Sequence, residues 1–314
     1  GIYRKGNTKL GTSNALIKKN GRFYYYCQEG IYEVDPGTFE TKQLFAFSST
    51  QWEWGSVLLQ DNENNFWVGT HEQLCYARKN LFTGILQPAL FGFDELWSVK
   101  KLRDGSIVGG SNRGRVFRKE DDSSSFYKWM TLFPLAAVTD VYEEPDNTLW
   151  FSSSYQGISL ADKTGQRRFT VNEGLRDNTN FMLFKSAGGH LYAGGDRGVS
   201  RIIKDEQGNV RFTNYSFHTG STDYVIVYCG LDKPSGGLLF GSNRGLLELK
   251  DSSLVPGYIK NSTRRNYNIT DMRKDAQGNI WISTVGDGIL ICSFDNDTLR
   301  LDKQLTEKDG LSSL

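Results

Sequence analysis

Three arginines stand at equivalent points of a phrase that recurs along this chain: Asn112-Arg113-Gly114, Asp196-Arg197-Gly198 and Asn243-Arg244-Gly245. A guanidinium is a planar fork of donors that matches a carboxylate or sulfate, so arginines repeated around one rim describe a surface that recognises anions. Aromatic residues occupy a second set of equivalent points, at Trp52 and Trp54, Trp97, Tyr224 and Tyr267, and Tyr155 lies in a turn equivalent to those of the arginines. An aromatic ring gives a sugar an apolar face to stack on, and neighbouring amides and guanidinium groups give its hydroxyls directional partners. The combination reads as a ligand-binding face for an oligosaccharide or other small ligand. The same residues also have a purely architectural reading. Asn/Asp-x-Gly is first a tight-turn sequence, an arginine inside it is solvated or paired with a neighbouring unit's carboxylate, and rings at strand starts pack against their neighbours.

Catalysis has less support. A glycosidase needs two carboxylates held across a cleft. Glu53, Asp94, Glu95, Asp223 and Asp287 fall on the same proposed face, but none recurs in a diagnostic setting. No nucleophile elbow or phosphate loop is present. His71, His190 and His218 are scattered, and Cys27, Cys75, Cys229 and Cys292 form no CxxC, so the sequence offers no metal-ligand spacing and implies no cofactor. The cysteines read as buried free thiols. The expectation is a binding module and not an enzyme.

The elements that position these residues come from the repeat. Its clearest copy is Gly278-Asn279-Ile280-Trp281-Ile282-Ser283-Thr284 followed by Gly288-Ile289-Leu290-Ile291. The residue before each second apolar segment serves as a ruler: Gly30, Gln73, Gly114, Gly157, Gly198, Gly245 and Gly288, spaced 41 to 47 residues apart. Around Trp281 one period divides into four strands joined by Asn/Asp/Gly turns. A period of this length with four strands is a propeller blade, and seven copies nearly fill the chain. The predicted fold is therefore all-β, a seven-bladed β-propeller of four-stranded antiparallel blades, forming a single domain over residues 1–314. Trp67, Trp150, Tyr192 and Trp281 share one repeat position and are predicted to pack between adjacent blades. The small residues after them (Gly69, Gly109, Gly194, Gly241, Ser152, Ser283) allow close approach near the axis. Antiparallel geometry puts the loops leading into each innermost strand on the same face as the turns between second and third strands. Asp104-Gly105, Asp146-Asn147, Gly188-Gly189 and Gly278-Asn279 then lie on the opposite face.

The net charge of +1 gives no electrostatic case for nucleic acid. No run of about 18 apolar residues is present to span a membrane, and no signal peptide is visible. Gly1-Ile2-Tyr3-Arg4-Lys5 reads as a second strand without its first, and residues 306–313 read as the start of a further copy. The chain thus reads as cut from a longer repeat array, with an N-terminal strand completing a C-terminal blade as the alternative.

Asp275, Gly278, Ile280-Trp281-Ile282, Thr284 and Gly288-Ile289, together with Asp309-Gly310-Leu311-Ser312, resemble the two-component regulator propeller repeat. That repeat runs roughly D-G-L-S, then D-x-x-G-x-[IL]-W-[IV]-G-T, then G-G-[IL]. The resemblance extends over all the copies and is strong in three. The copies at Tyr24, Val108 and Leu239 lack the tryptophan, and Ser283 stands where the family has glycine. The resemblance implies a periplasmic sensor region of a Bacteroidetes hybrid two-component system, responding to glycan fragments and signalling to a histidine kinase. It implies as partners an oligosaccharide ligand and, in the same chain, a neighbouring propeller and a membrane-proximal β-sandwich, with a dimeric full-length protein. Similar repeats on the cell surface, in a type IX secretion system module that binds glycan or protein partners, are the alternative. A propeller glycosidase or lyase is the third class.

Overall fold

The computed structural model describes residues 15–19, 21–27, 30–38, 40–46, 57–61, 64–69, 74–78, 81–85, 94–121, 124–217, 224–309 and 311. Among the described residues, apart from two short 3-10 turns, Val171–Glu173 and Glu307–Asp309, the regular structure is all strand. One sheet holds β1 (Ala15–Lys19), β2 (Arg22–Cys27), β3 (Gly30–Val34) and β4 (Thr41–Ala46). The next holds β5 (Val57–Gln60), β6 (Phe66–Gly69), β7 (Leu74–Arg78) and β8 (Leu81–Ile85). A third holds β9 (Leu96–Lys101), β10 (Ile107–Ser111), β11 (Arg115–Lys119) and β12 (Tyr127–Thr131), and a fourth β13 (Val138–Glu143), β14 (Leu149–Ser153), β15 (Ile158–Asp162) and β16 (Gly165–Phe169). An eight-stranded sheet follows. It joins the run β17 (Asn180–Lys185), β18 (Leu191–Gly195), β19 (Gly198–Lys204) and β20 (Val210–Phe217) to the run β21 (Val227–Asp232), β22 (Leu238–Ser242), β23 (Gly245–Lys250) and β24 (Ser253–Pro256). The join is a short parallel contact, Ser216 and Phe217 of β20 against Ser253 and Leu254 of β24. The last sheet is β25 (Asn268–Lys274), β26 (Ile280–Val285), β27 (Ile289–Asp295) and β28 (Thr298–Leu305). Within every run, strands adjacent in sequence pair antiparallel. The all-β class and the propeller-like arrangement of small antiparallel sheets are as the repeat predicts.

Hydrophobic clusters sit between consecutive runs of strands. Trp67 of β6 packs with Leu96, Ile107, Phe117 and Phe126 of the following sheet, and Trp150 of β14 packs with Leu183, Leu191, Ala193 and Ile202 of β17–β19. Tyr192 of β18 packs with Val227, Leu238 and Phe240 of the next run. Trp281 of β26 packs with Phe23, Tyr25 and Val34 of β2 and β3, so the last sheet covers the first. There the Phe23 and Trp281 rings stack with centroids 4.0 Å apart. Because both faces of each second strand are covered, β10, β14, β18 and β22 are buried at every residue. A strand covered on both faces reads as a nearly continuous apolar run, which is the triplet seen in the sequence. The first strands lie against one another in chain order, β1, β5, β9, β13, β17, β21, β25, and β25 also lies against β1. Sheet β25–β28 uses four consecutive strands, and among the described residues no N-terminal strand pairs with it. Residues 1–5 lie outside the described part.

Gly69, Gly194 and Gly241 have the predicted role against the next run, but Gly109 faces Leu96 of its own sheet, and at that copy the close approach falls one residue later, on Gly110. A Cβ on Gly110 would lie 2.5 Å from Cβ of Val138, and one on Gly241 would lie 2.4 Å from Cγ2 of Ile269, each on the first strand of the next run. The ruler glycines have a different reason. A Cβ on Gly157 would lie 2.0 Å from the carbonyl oxygen of Phe169, at a φ of +76°. There the fourth strand crosses in contact with the backbone, in a conformation that L side chains rarely adopt.

The tryptophan carries a polar tie the motif conceals. Trp281 Nε1 donates to Asp275 Oδ2 at 3.1 Å, and the same carboxylate accepts from Asn279 N at 2.7 Å and Asn279 Nδ2 at 2.8 Å. Asp61, Asn65 and Trp67 repeat this arrangement. At Trp150 the corresponding residues are Glu144 and Thr148, and the indole N–H is buried without a partner. Cys229 and Cys292 are buried free thiols, and burial pushes Cys292 up to about 12 and Cys229 up as well. The side chains of Cys27 and Cys75 lie outside the described part.

Two outcomes follow for stability. Asp275→Ala strands a buried indole donor, and urea unfolding is expected to show a loss of about 1–3 kcal/mol in a shifted midpoint at unchanged m-value. Asp146, on the opposite face, is held at about 2, chiefly by the Thr148 N–H and with help from Lys204 Nζ at 3.2 Å. Its folded value lies below its unfolded one, so its contribution is complete above about pH 4 and is lost as the pH falls toward 2. Asp146→Ala is expected to lower stability by a constant amount between pH 6 and 8 and by progressively less as the pH falls toward 2, so that the acid limb of stability against pH flattens.

Candidate ligand-binding face

The segments leading into the first strands and the second-to-third turns lie on one face, and backbone bonds lock them together. Asn112 N donates to Glu95 O at 2.8 Å, Ser154 N to Ala137 O at 3.1 Å, Asp196 N to Thr179 O at 3.3 Å and Asn243 N to Ile226 O at 3.1 Å. Where the turn residue is asparagine, its side chain closes the other half: Glu95 N donates to Asn112 Oδ1 and Ile226 N to Asn243 Oδ1. The Asn-Arg-Gly signature is thus first a clasp on the start of the innermost strand.

The arginines reinforce that clasp. Arg197 Nε lies 3.2 Å from Asp177 Oδ2, and Arg113 Nε lies 3.8 Å from Asp94 Oδ1, which Arg115 also approaches at 3.5 Å. Arg244 Nε donates to the Tyr224 carbonyl at 2.8 Å. Each partner belongs to the arginine's own sheet, in the segment leading into its first strand, and not to a neighbouring sheet. The last sheet keeps the pair with the charges exchanged: Arg264 leads into β25 and reaches Asp287 Oδ1 of the β26–β27 turn at 2.5 Å. The arginines therefore tie turns to lead-in segments, and anion recognition is not their first employment.

The aromatic candidates separate. Tyr155 and Tyr224 are 71 % and 47 % exposed, and Trp97 is 40 % exposed with its indole N–H directed at Glu95 Oε2, 3.4 Å away. Tyr267 is buried in the packing between β21–β24 and β25–β28, its hydroxyl on Ser262 Oγ at 2.7 Å. It is a core residue and offers no stacking platform, because the segment before β25 folds its ring inward. Trp52 and Trp54 lie outside the described residues.

A feature that sequence reasoning missed places further side chains on this face. In β9, β13, β17, β21 and β25 the register with the second strand slips by one residue near the start, a β-bulge at one repeat position. The extra residues are Trp97, Thr139, Phe181, Tyr228 and Thr270. A bulge leaves its extra residue outside the ladder and re-aims its side chain. Thr139 Oγ1 uses this freedom to reach Asn180 O of the next run at 2.5 Å, and Phe181 and Tyr228 bring their rings to 5.8 Å. No turn residue marks these positions, so only the varied chemistry at a fixed offset from the small residues could have flagged them. Deeper along the first strands, Asp271 and Arg273 pair at 3.0 Å. Arg273 keeps solvent contact although protein surrounds it, as expected for a side chain in a channel between the first strands. Burial holds the Asp140 and Asp271 carboxyls above the usual carboxylate range.

Buried oxygens that accept no hydrogen bond also gather on this face: Oδ1 of Asp196, Oδ1 of Asn268, Oδ2 of Asp287 and both oxygens of Asp94, the last with Arg113 and Arg115 close by but beyond hydrogen-bond geometry. Among the described residues no group of three or more His, Cys, Asp or Glu side chains could hold a metal ion. The face is therefore equipped for stacking and for receiving hydrogen bonds.

Residues 263–286 match the family model described as "Two component regulator propeller", so the resemblance read from the Asp275–Thr284 phrase is found over that copy. No curated protein matches the chain. Among solved structures it is similar to a virginiamycin B lyase from Staphylococcus aureus, at 11 % identity and TM-score 0.67, covering 89 % of this chain and 93 % of that one. A GH74 xyloglucanase from Xanthomonas campestris is similar at 12 % identity and TM-score 0.69, covering 94 % and 55 %. The extracellular domain of a protein assigned as a hybrid two component system of B. thetaiotaomicron is similar at 12 % identity and TM-score 0.52, covering 95 % and 48 %. This chain thus spans about half of that extracellular domain. At these identities the likeness is one of fold.

The clasp is open to a charge-exchange test. Arg264→Asp alone faces Asp287 with a like charge and is expected to lower stability by about 1 kcal/mol, whereas Arg264→Asp with Asp287→Arg recreates the polarity of Arg197 and Asp177. Thermal unfolding should place the double variant close to the parent, and a double variant as unstable as the single would remove the pair from the clasp.

Proposed function

We propose that this chain is a non-catalytic, seven-bladed sensor propeller whose ligand face is the one carrying the second-to-third turns, and that it reads glycan fragments for a hybrid two-component system. The contact of β25 with β1 and the packing of Trp281 on Phe23 support ring closure by seven blades. The observation that carries the binding reading is where apolar surface remains. Of the eight large apolar residues exposed among the described ones, Trp97, Leu135, Tyr155, Tyr224 and Val285 lie at first-strand starts or second-to-third turns of this face, while Tyr127, Val171 and Tyr258 lie in or after fourth strands. Exposed apolar groups gathered on one face beside unfilled acceptors mark an interaction surface, and rings beside acceptors suit a sugar. The match over residues 263–286 supports the sensor class.

In this reading the chain works outside the cytoplasmic membrane, in the periplasm or at the cell surface. It docks against a further propeller and a membrane-proximal domain of a longer, dimeric protein. No helix among the described residues is long and apolar enough to cross a membrane, a statement that does not bear on strands. Ligand preference for one arrangement of the propeller against its neighbour would shift that equilibrium by the difference in affinity, which is all that signalling needs.

An oligosaccharide array followed by titration calorimetry tests the reading. Trp97→Ala, Tyr155→Ala and Tyr224→Ala should each weaken binding by about tenfold, or ~1.4 kcal/mol, while substitutions at Asp104 or Asp146 on the opposite face leave it unchanged. Absence of oligosaccharide binding with the neighbouring domains present would sink the sensor reading. Cleavage products in the same mixtures would transfer the face to a lyase or glycosidase.

A further inference from the structure

We infer that Asp196, with Tyr155, Phe181, Tyr224 and Tyr228 around it, forms a subsite for a protonated amine carried on a ring, such as the ammonium of a non-acetylated amino sugar. The inference rests on the ligand-binding reading of this face and names the chemistry of one ligand group. The Asp196 backbone is fixed at both ends: its N–H goes to Thr179 O at 3.3 Å, and its carbonyl accepts from Val225 N at 3.0 Å. The carboxylate so placed has Oδ1 buried with no donor. Its nearest cation is already engaged, because Arg197 lies 3.2 Å from Asp177. Burial and then the like charge of Asp177 raise the Asp196 carboxyl, against the opposing pull of Arg197.

The surroundings are aromatic. Tyr224 is held above its usual range by burial and then by Asp196 and Tyr155, and Tyr228 by burial and then by Tyr224 and Asp196, so Asp196 lies near Tyr224 and Tyr228, and Tyr155 lies on the far side of Tyr224 within reach of its field. The Phe181 ring is 5.8 Å from that of Tyr228, and both are bulge residues turned out of their ladders. Asp196 Oδ1 lacks a donor, and the guanidinium groups nearby are already engaged, Arg197 with Asp177 and Arg244 with the Tyr224 carbonyl. A sugar hydroxyl would supply a donor alone; an ammonium supplies a donor and a positive charge, and its carbon framework meets ring faces whose quadrupole attracts cations. Tyr155, Phe181 and the pair Tyr224 and Tyr228 come from three consecutive runs of strands, so the subsite exists only when those runs are packed together.

Calorimetry with glucosamine disaccharide (non-acetylated chitobiose), N,N′-diacetylchitobiose, cellobiose and benzylamine tests this. The amine-bearing disaccharide is expected to bind at least about tenfold tighter than the other two disaccharides. Asp196→Asn, isosteric and checked for an unchanged thermal midpoint, should erase the difference, and Tyr224→Ala should weaken the amines. Cellobiose binding as tightly as the amino sugar, or a preference that survives Asp196→Asn, overturns the inference while leaving the glycan-sensing reading intact. Benzylamine binding that depends on Asp196, without binding of any saccharide, keeps the subsite and sinks the glycan reading. No binding of either amine overturns the inference.

Discussion

No four-stranded sheet of this chain can bury both its faces alone, and the rest of the structure depends on how that deficit is met. Each run of strands lends an aromatic or aliphatic row from its second strand to the face of the next. Trp67, Trp150, Tyr192 and Trp281 are the largest of these loans, and all are buried. The last is made to the first sheet, where Trp281 stacks on Phe23. Burying an aromatic side chain contributes roughly 1.5–3 kcal/mol. Such contacts outweigh the exposed ion pairs at the rim, each of which contributes about 0–1 kcal/mol. The glycines that look like punctuation serve the same contact: Gly110 and Gly241 have no Cβ because Val138 and Ile269 already occupy that volume.

Sheets stacked this way crowd near their first strands, and the crowding shapes the face that carries the second-to-third turns. The bulges in β9, β13, β17, β21 and β25 release one residue each from a ladder with no lateral room. The threonines released at two positions are turned to structure, Thr139 on Asn180 O and Thr270 on Ser283 Oγ. Trp97, Phe181 and Tyr228 are too large for that and stay at the face. The scaffold thus holds the bulge geometry constant while the residue type on it varies, which is how a repeated framework comes to carry a site that is not repeated.

This division explains what was legible in the sequence. The period, the four strands, the inter-sheet tryptophans and the small residues beside them could be read because one constraint imposes them at every copy. Asp275 was legible as part of a motif, though not as the acceptor for Trp281; a hydrogen bond to an indole six residues away leaves no periodic trace until two copies are compared in space. The arginines were legible as a repeat and misread in emphasis. Asn-Arg-Gly marks a turn, but only the structure shows the guanidinium folded back onto Asp94, Asp177 or the Tyr224 carbonyl. Tyr267 and Tyr224 look alike in sequence, both just before an inner strand. The fold turns one into the core and leaves the other half exposed, a difference set by the path of the preceding segment and not by residue type. The bulges were not legible, because an extra residue in a ladder is defined by its partner strand.

The clasped construction also constrains how such a face could signal. The segments leading into β9, β13, β17 and β21 are held by backbone bonds from the neighbouring turns, and the arginine pairs add a second tie at most of them. A ligand arriving there meets groups already fixed, so little of its binding free energy is spent on ordering loops. By the same reasoning little is available from loop closure to drive a conformational change. Sheets that share buried side chains with both neighbours do not shift singly, because moving one breaks two packed interfaces. A sensor built on this ring must therefore act as a rigid body, and any signal has to arise where the ligand also touches, or excludes, something beyond the ring. On the proposed ligand face the exposed Leu135, Tyr155 and Tyr224 would be the groups to meet such a neighbour, and the affinity difference between two docked arrangements would then be the quantity that selection can tune.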